Sequence, residues 1–447
     1  MICFLFGLSG CAAYHSEPLP HTPAFGKTPA DVEVDASKLD VPSLQSYLFN
    51  AADGLDMTET AILAVLNNPD LKLARDDAAV SHAQAFAAGL LPDPQFTPAE
   101  DLTMPSGPGL YNAYTLGLSY DISALIKFPS ALRAEHAEYK KIDLTMLWQE
   151  LQTISQARLL FAKTLAQDKT LAILKDYHEY LEEKRKTVLE AVQHGGLSMD
   201  AASPLLSTYL DMSGKYYDVE RQSAKNHRDL NALLGLAPDT KLQLVDSALP
   251  EFDMMMLPAI RDDLPKRRPD LLALEEGYAA QDEHYWQAIL AQFPLVNASV
   301  NRARDNTGIN SRGFSLTINL PLFNGNQGAI AVEKATRQKL HDEYQIRLNQ
   351  AYAEITGIAD EYALTHVQYG ESQASLAQWK ETLANADKAL AQHHIDLFTY
   401  TNLRSAYVTK ALENVTLAEN LREGLIALDT LSAQDLENAK EQKDPAP

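Results

Sequence analysis

The chain repeats itself at an offset of 200 residues, and this duplication narrows its fold more than any single motif. Asn68-Pro69-Asp70-Leu71 returns as Arg268-Pro269-Asp270-Leu271, and Leu116-Gly117-Leu118-Ser119-Tyr120 returns as Leu316-Thr317-Ile318-Asn319-Leu320. His194, at a Gly-marked break between long helices, pairs by the same offset with His394. Each half reads as short helices, two strands, a very long helix, a break and another long helix. A repeated unit of this size points to quasi-symmetric packing of two copies. It argues against a globular enzyme, whose chemistry would break the symmetry.

Residues 131–194 contain neither Gly nor Pro. At 1.5 Å per residue they predict a helix of roughly 95 Å. Leu144, Leu147, Leu151, Ile154, Phe161 and Leu165 step by three, four or seven, and Leu174, Tyr177, Leu181 and Val188 continue the stripe. That spacing is a coiled-coil seam. The helix breaks at Gly195-Gly196, and its partner spans 199–234 and closes at Gly235. The second half repeats the pattern over 329–392, with Leu348, Tyr352, Ile355, Ile358 and Tyr362 as its seam, and over 398–431. Helices of this length cannot bury themselves in a compact domain; they must pack in a long bundle.

Between the short helices and the long ones lie segments that alternate. Thr58 is expected to cap a first helix through Leu66, with Glu59 in its first turn. A second starts near Pro69, a favoured first-turn residue, and stops at Pro92-Asp93-Pro94. Residues 95–102, 113–122, 295–302 and 313–322 are strand candidates; Pro105-Ser106-Gly107-Pro108-Gly109 supplies the first turn. Leu116, Leu118, Tyr120 and Ile122 alternate with Thr115, Gly117, Ser119 and Asp121. Val296, Ala298 and Val300 alternate with Asn297, Ser299 and Asn301, and Leu316, Ile318, Leu320 and Leu322 with Ser315, Thr317 and Asn319. Segments of about ten residues with this pattern carry the signature of transmembrane strands, which half-buried soluble strands share.

No stretch approaches the roughly 18 apolar residues of a membrane helix, so a membrane crossing would have to use strands. Four amphipathic strands cannot close a barrel, and an open edge is not tolerated in lipid. Small membrane barrels begin at about eight strands. Several copies must therefore contribute to one barrel, and three would give about twelve strands with a lumen. The formal charge of −22 excludes nucleic acid as a partner, because phosphate binding needs clustered Lys and Arg. A negatively lined passage favouring cations is a further reading of that acidity.

Three motifs carry a family resemblance. Leu264-Pro265-Lys266-Arg267-Arg268-Pro269-Asp270-Leu271-Leu272-Ala273, followed by Glu275, resembles the opening of the second repeat in the TolC-like outer-membrane efflux proteins. Leu320-Pro321-Leu322-Phe323-Asn324-Gly325 resembles the end of that family's last strand, and Leu233-Leu234-Gly235-Leu236 the end of its first coiled coil. The likeness covers nearly the whole chain after Cys11. It implies an α+β membrane protein with two structural repeats, in which a long antiparallel coiled-coil helical barrel joins a four-strand contribution per chain to a trimeric transmembrane β-barrel. The expected units are a signal peptide over 1–10, an extended anchored segment over 11–56, a first repeat over 57–235, a connector over 236–257, a second repeat over 258–432 and a tail over 433–447.

Leu8-Ser9-Gly10-Cys11 resembles the lipobox of bacterial lipoproteins, although no Lys or Arg precedes it. That resemblance implies cleavage before Cys11 and lipid on its thiol. Cys11 would then be the only cysteine, leaving no disulfide. The implied partners are two further copies, outer-membrane lipid, a periplasmic adaptor and an inner-membrane proton-driven pump. The implied adaptor contacts are the helix breaks at Gly195, Gly196, Leu197 and Ser198 and at Asp396, Leu397, Phe398 and Thr399, where Asp396 stands in the place of a usual glycine. Tyr400, Asn402, Arg404 and Ser405 are the implied periplasmic gate; the acidic residues common there are replaced by Asn402 and Ser405. His393 and His394 are neighbours in sequence and cannot chelate one ion from a helix. Met254-Met255-Met256 reads as apolar filling, with soft-metal ligation as the alternative. No phosphate loop, nucleophile elbow or Cys/His cluster marks an enzyme, and no cofactor is expected. The expected role is an exit duct for small toxic compounds or metal ions in a tripartite export system. Its rivals are type I protein secretion and a lipid-tethered coiled-coil scaffold without a pore.

Overall fold

A computed structural model describes residues 14–26, 28–29, 39, 41–45, 47–104, 107–247 and 252–433. The expected signal peptide, Cys11 and the tail beyond Ala433 lie outside the described residues. A short helix α1 (Pro42–Gln45) leads to α2 (Met57–Asn67) and α3 (Pro69–Ala88), then strands β1 (Gln95–Asp101) and β2 (Ala113–Asp121). Next come α4 (Ile122–Gln193) and α5 (Met199–Leu233). The second repeat supplies α6 (Leu257–Arg267), α7 (Pro269–Leu290), β3 (Leu295–Arg304), β4 (Asn310–Asn319), α8 (Gln327–Ala391) and α9 (Leu397–Ser432).

The helix starts follow their caps. Asp56, not Thr58, caps α2: its side chain accepts from the Glu59 N–H at 2.8 Å, while Glu59 reaches back to the Asp56 N–H. This reciprocal pair is a capping box. The α4 helix begins nine residues before the expected start at residue 131, directly where β2 ends, with Asp121 as its cap. Pro129, the eighth residue of α4, sits in the helix interior, where it removes the N–H that would bond the Leu125 carbonyl, and the helix continues through it. The strand then runs into a helix of 72 residues without a linker, roughly 110 Å long.

The core is a set of clusters strung along this rod. Leu151, Ile154, Phe161, Leu165, Leu174, Tyr177, Leu181 and Val188 of the seam are buried, as are Ile355 and Tyr362 of the second seam. Leu348, Tyr352 and Ile358 pack beside the latter. Helix α4 packs on α5, α7 and α9, and α8 on α7 and α9, so the two repeats interlock rather than sit side by side. The segment expected to be extended over 11–56 is docked over its last part. Leu39, Val41 and Leu44 are buried against α2 and α4, and Leu55 pairs in parallel with Leu244 of the connector. Three apolar residues between prolines are too few to leave a periodic signal. Of the three methionines, Met254 packs against the second-repeat core, whereas Met255 and Met256 are exposed.

The Arg-Pro-Asp motif has a structural role. Arg268 is fully buried; its Nη2 and Nε donate to the two oxygens of Asp270 at 2.7 and 3.0 Å. Arg347 donates to the same carboxylate at 2.8 Å and to Glu354 at 2.8 Å. The Arg268 guanidinium also lies 4.9 Å from the Trp148 ring of α4. Burial alone would raise Asp270, yet the two guanidiniums hold it below the usual carboxylate range. In the first repeat, Asn68 replaces the arginine, capping α3 and donating to the Leu233 carbonyl at 2.8 Å.

Candidate functional site: an amphipathic sheet and a helical tip

The four strands form one antiparallel sheet in the order β1-β2-β3-β4, and the β2–β3 pairing joins the two repeats. Register sorts the side chains by face in the part of the sheet next to the helices. The row Phe96, Leu118, Val300 and Phe314 is flanked by Tyr120, Ala298 and Leu316, then by Val296 and Ile318. The opposite face carries Thr97, Gly117, Asn301 and Gly313, then Gln95, Ser119, Ser299 and Ser315. Residues two apart share a face, so the apolar band and the small polar face run across the strands, and beyond that band the apolar face carries Arg302, Arg304 and Arg312. The apolar face is open: Phe96, Leu118, Val300 and Phe314 are 63%, 48%, 52% and 71% exposed. An exposed apolar surface of this extent marks a membrane or partner contact. The outer edges of β1 and β4 carry no strand partner among the described residues.

β3 and β4 are longer at the turn end than their alternation suggested. Asp305 accepts from the Thr307 and Ile309 N–H groups at 2.9 Å each, and Gly308 adopts φ +90°. This tight side-chain-closed turn lets pairing continue to Arg304 and Asn310, while β4 ends at Asn319 rather than at residue 322.

At the other end of the rod, both helix breaks meet. Leu197, Leu397 and Phe398 pack around buried Val188, Ala202 and Leu205. Gly195 adopts φ +73°, and the Gly196 N–H donates back to the Ala191 carbonyl at 2.8 Å, satisfying the end of α4. Ser198 caps α5, and Asp396 caps α9, accepting from the Thr399 N–H at 2.7 Å; that bond lowers the Asp396 carboxyl. Here the expected pairing needs correction. The second repeat is two residues shorter before its tip, so Asp396 matches Ser198, and His393, at φ +54°, matches Gly195. His194 corresponds to Gln392, not to His394, and Asp396, at φ −86°, is an extended helix cap.

Just past this tip, α9 is tied to α4. Arg404 donates to Asp176 at 2.8 Å and lies 4.0 Å from the Tyr180 ring. The Tyr180 hydroxyl meets Thr401 Oγ1 at 3.3 Å, and its ring meets the Tyr400 ring edge-on at 5.8 Å. Tyr400 is buried; burial and its hydrogen bond to Asp387 push its hydroxyl up to about 12. Ser405 is half-buried and its carbonyl accepts from Thr409, whereas Asn402 is exposed. Of the four expected gate residues, Tyr400 and Arg404 enter one cross-repeat cluster, and Ser405 borders it beside Tyr177 of α4. Asp176, Tyr180 and Thr401 complete it; the seam pattern identified Tyr177 but carried no signal for these three.

Comparison with solved structures places this architecture. The outer membrane channel CmeC of Campylobacter jejuni is 16% identical, with a TM-score of 0.71 over 97% of this chain and 99% of that one. CusC, a protein whose structures concern transmembrane channel formation, is 15% identical, with a TM-score of 0.69 over 94% and 99%. The open state of the MtrE outer membrane channel of Neisseria gonorrhoeae is 14% identical, with a TM-score of 0.65 over 95% and 99%. No protein-family model matches the chain, and no curated protein matches it in sequence. The chain has the fold of the outer-membrane channels: long antiparallel coiled coils and a small antiparallel sheet, arranged in two repeats.

Proposed function

We propose that the chain is one protomer of a passive, non-enzymatic exit duct in the outer membrane. The observation that carries this reading is the continuity of an unclosed, two-faced sheet with a 72-residue helix. A sheet with an apolar outer face, a small polar inner face and two free edges is stable in lipid only when closed by other copies. Three copies give about twelve strands, within the range of barrels with a lumen. The helices attached to every strand then continue the barrel as a tube into the periplasm. In this reading Cys11 carries the lipid anchor, and the tips around Gly195–Ser198 and Asp396–Thr399 meet a periplasmic adaptor. An inner-membrane proton-driven pump supplies the energy, and the cargo is small toxic compounds or metal ions.

The Arg404–Asp176–Tyr180 cluster is the latch of the periplasmic end in this scheme, because it holds α9 of one repeat against α4 of the other. Opening requires the coiled coils to move apart, and hence that latch to break. Planar-bilayer recording tests both parts. The protein should give discrete conductance steps, and Arg404→Ala should raise open probability several-fold, the scale of losing one charge-assisted hydrogen bond. Insertion without conductance would overturn the duct.

A further inference from the structure

We propose that Arg302 and Arg312 form a clamp for the phosphate of an anionic membrane lipid at the outward rim of the apolar sheet face. The inference rests on the reading of that face as lipid-facing. Arg302 and Arg312 are direct cross-strand partners, in one row with Pro98 and Leu116. They stand on the apolar face next to the row of Phe96, Leu118, Val300 and Phe314, at the end remote from the helices. Like charges placed directly opposite destabilise a sheet, and a guanidinium cannot shed its proton to relieve the repulsion. Among the described residues neither guanidinium has a hydrogen-bond or ion-pair partner. Both side chains are exposed in the single chain; set against lipid, without water to screen them, the pair needs an anion.

The surroundings favour one carried by lipid. Arg304, two residues further along the same face, is fixed by a 3.0 Å hydrogen bond to the Asn112 carbonyl and by the rings of Tyr111 and Tyr114 at 5.5 and 5.2 Å. Its Nε is buried without a partner. Tyrosines at the end of an apolar band are what the headgroup level of a bilayer selects, and long arginine side chains reach that level from apolar surface. Two planar forks can each grip phosphate oxygens bidentately, while acyl chains would lie along Val300 and Phe314. A free phosphate would gain nothing from those apolar neighbours.

Native mass spectrometry of the detergent-solubilised protein, titrated with phosphatidic acid, phosphatidylcholine and inorganic phosphate, tests the clamp. Phosphatidic acid should bind about tenfold more tightly than phosphatidylcholine, the ratio set by one or two charge-assisted bonds, and millimolar inorganic phosphate should not displace it. Arg302→Gln with Arg312→Gln should abolish the preference while conductance persists. Should that pair fail to fold, Arg302→Lys with Arg312→Lys keeps the charge and should still bind phosphatidic acid severalfold more weakly than the wild type. Equal binding of the two lipids, displacement by inorganic phosphate, or an unchanged preference in the glutamine variant overturns the clamp. A wild type that conducts without lipid preference, and whose glutamine variant falls apart into single chains, would assign the arginines to Glu100 of a neighbouring copy. In either case the duct reading survives, because its failure shows separately as loss of insertion or conductance.

Discussion

Two guanidiniums, those of Arg268 and Arg347, converge on the carboxylate of Asp270, whose side chain is 11% exposed. Removing one partner of a buried ionic cluster costs far more than the cluster contributes, because the remaining charge stays desolvated. Asp270→Ala should therefore lower stability by about 3–5 kcal/mol, read as a fall in the denaturant midpoint. The depressed Asp270 carboxyl contributes stability that is full above the unfolded carboxylate value of about 4. That contribution is lost as pH falls through the lower folded value. Asp270→Asn should accordingly flatten the acid limb of the stability curve. His227 has the opposite sign. Its Nε2 lies 2.9 Å from Asp168 across the α4–α5 pair, and this hydrogen bond raises it above the ordinary imidazole value. Its contribution is complete below about pH 6.5 and fades as pH rises through the folded value. The thermal midpoint should fall between pH 6 and pH 9 in the wild type, and fall less in His227→Gln.

The helix ends differ in how much a single atom matters. Gly235 closes α5 at φ +64°, and a Cβ there would stand 2.4 Å from the Asn67 carbonyl oxygen. Gly195 closes α4 at φ +73° with open space around it. Gly195→Ala should cost only the left-handed strain, about 1 kcal/mol. Gly235→Ala adds a backbone collision that no rotamer relieves, so its thermal midpoint should fall further. Both glycines were legible in the sequence, because a Gly after a long heptad run marks a helix end. The start of α4 was hidden by Pro129, which reads as a boundary, although the helix runs through it from Ile122. The strand ends at Arg304 and Asn310 were hidden too, because the polar arginines break the alternation that the ladder continues.

At the scale of the molecule, the repeat, the coiled coils and the four strands were all readable from spacing alone, since each is a periodic pattern imposed by burial. The latch was not. Asp176, Tyr180 and Arg404 come from helices more than 200 residues apart in sequence, and no local period records a contact between repeats. The two-residue shift at the tips escaped as well, because a fixed offset of 200 matches His194 to His394 even though their backbone roles differ.

The central claim is that the free edges of β1 and β4 are paired by other copies. Hydrogen exchange of the detergent-solubilised particle addresses it directly. A closed barrel predicts that the outward amides of β1 and β4 are protected as strongly as those of β2 and β3. Rapid exchange confined to β1 and β4, in a particle of one chain's mass, 49.3 kDa, would contradict it.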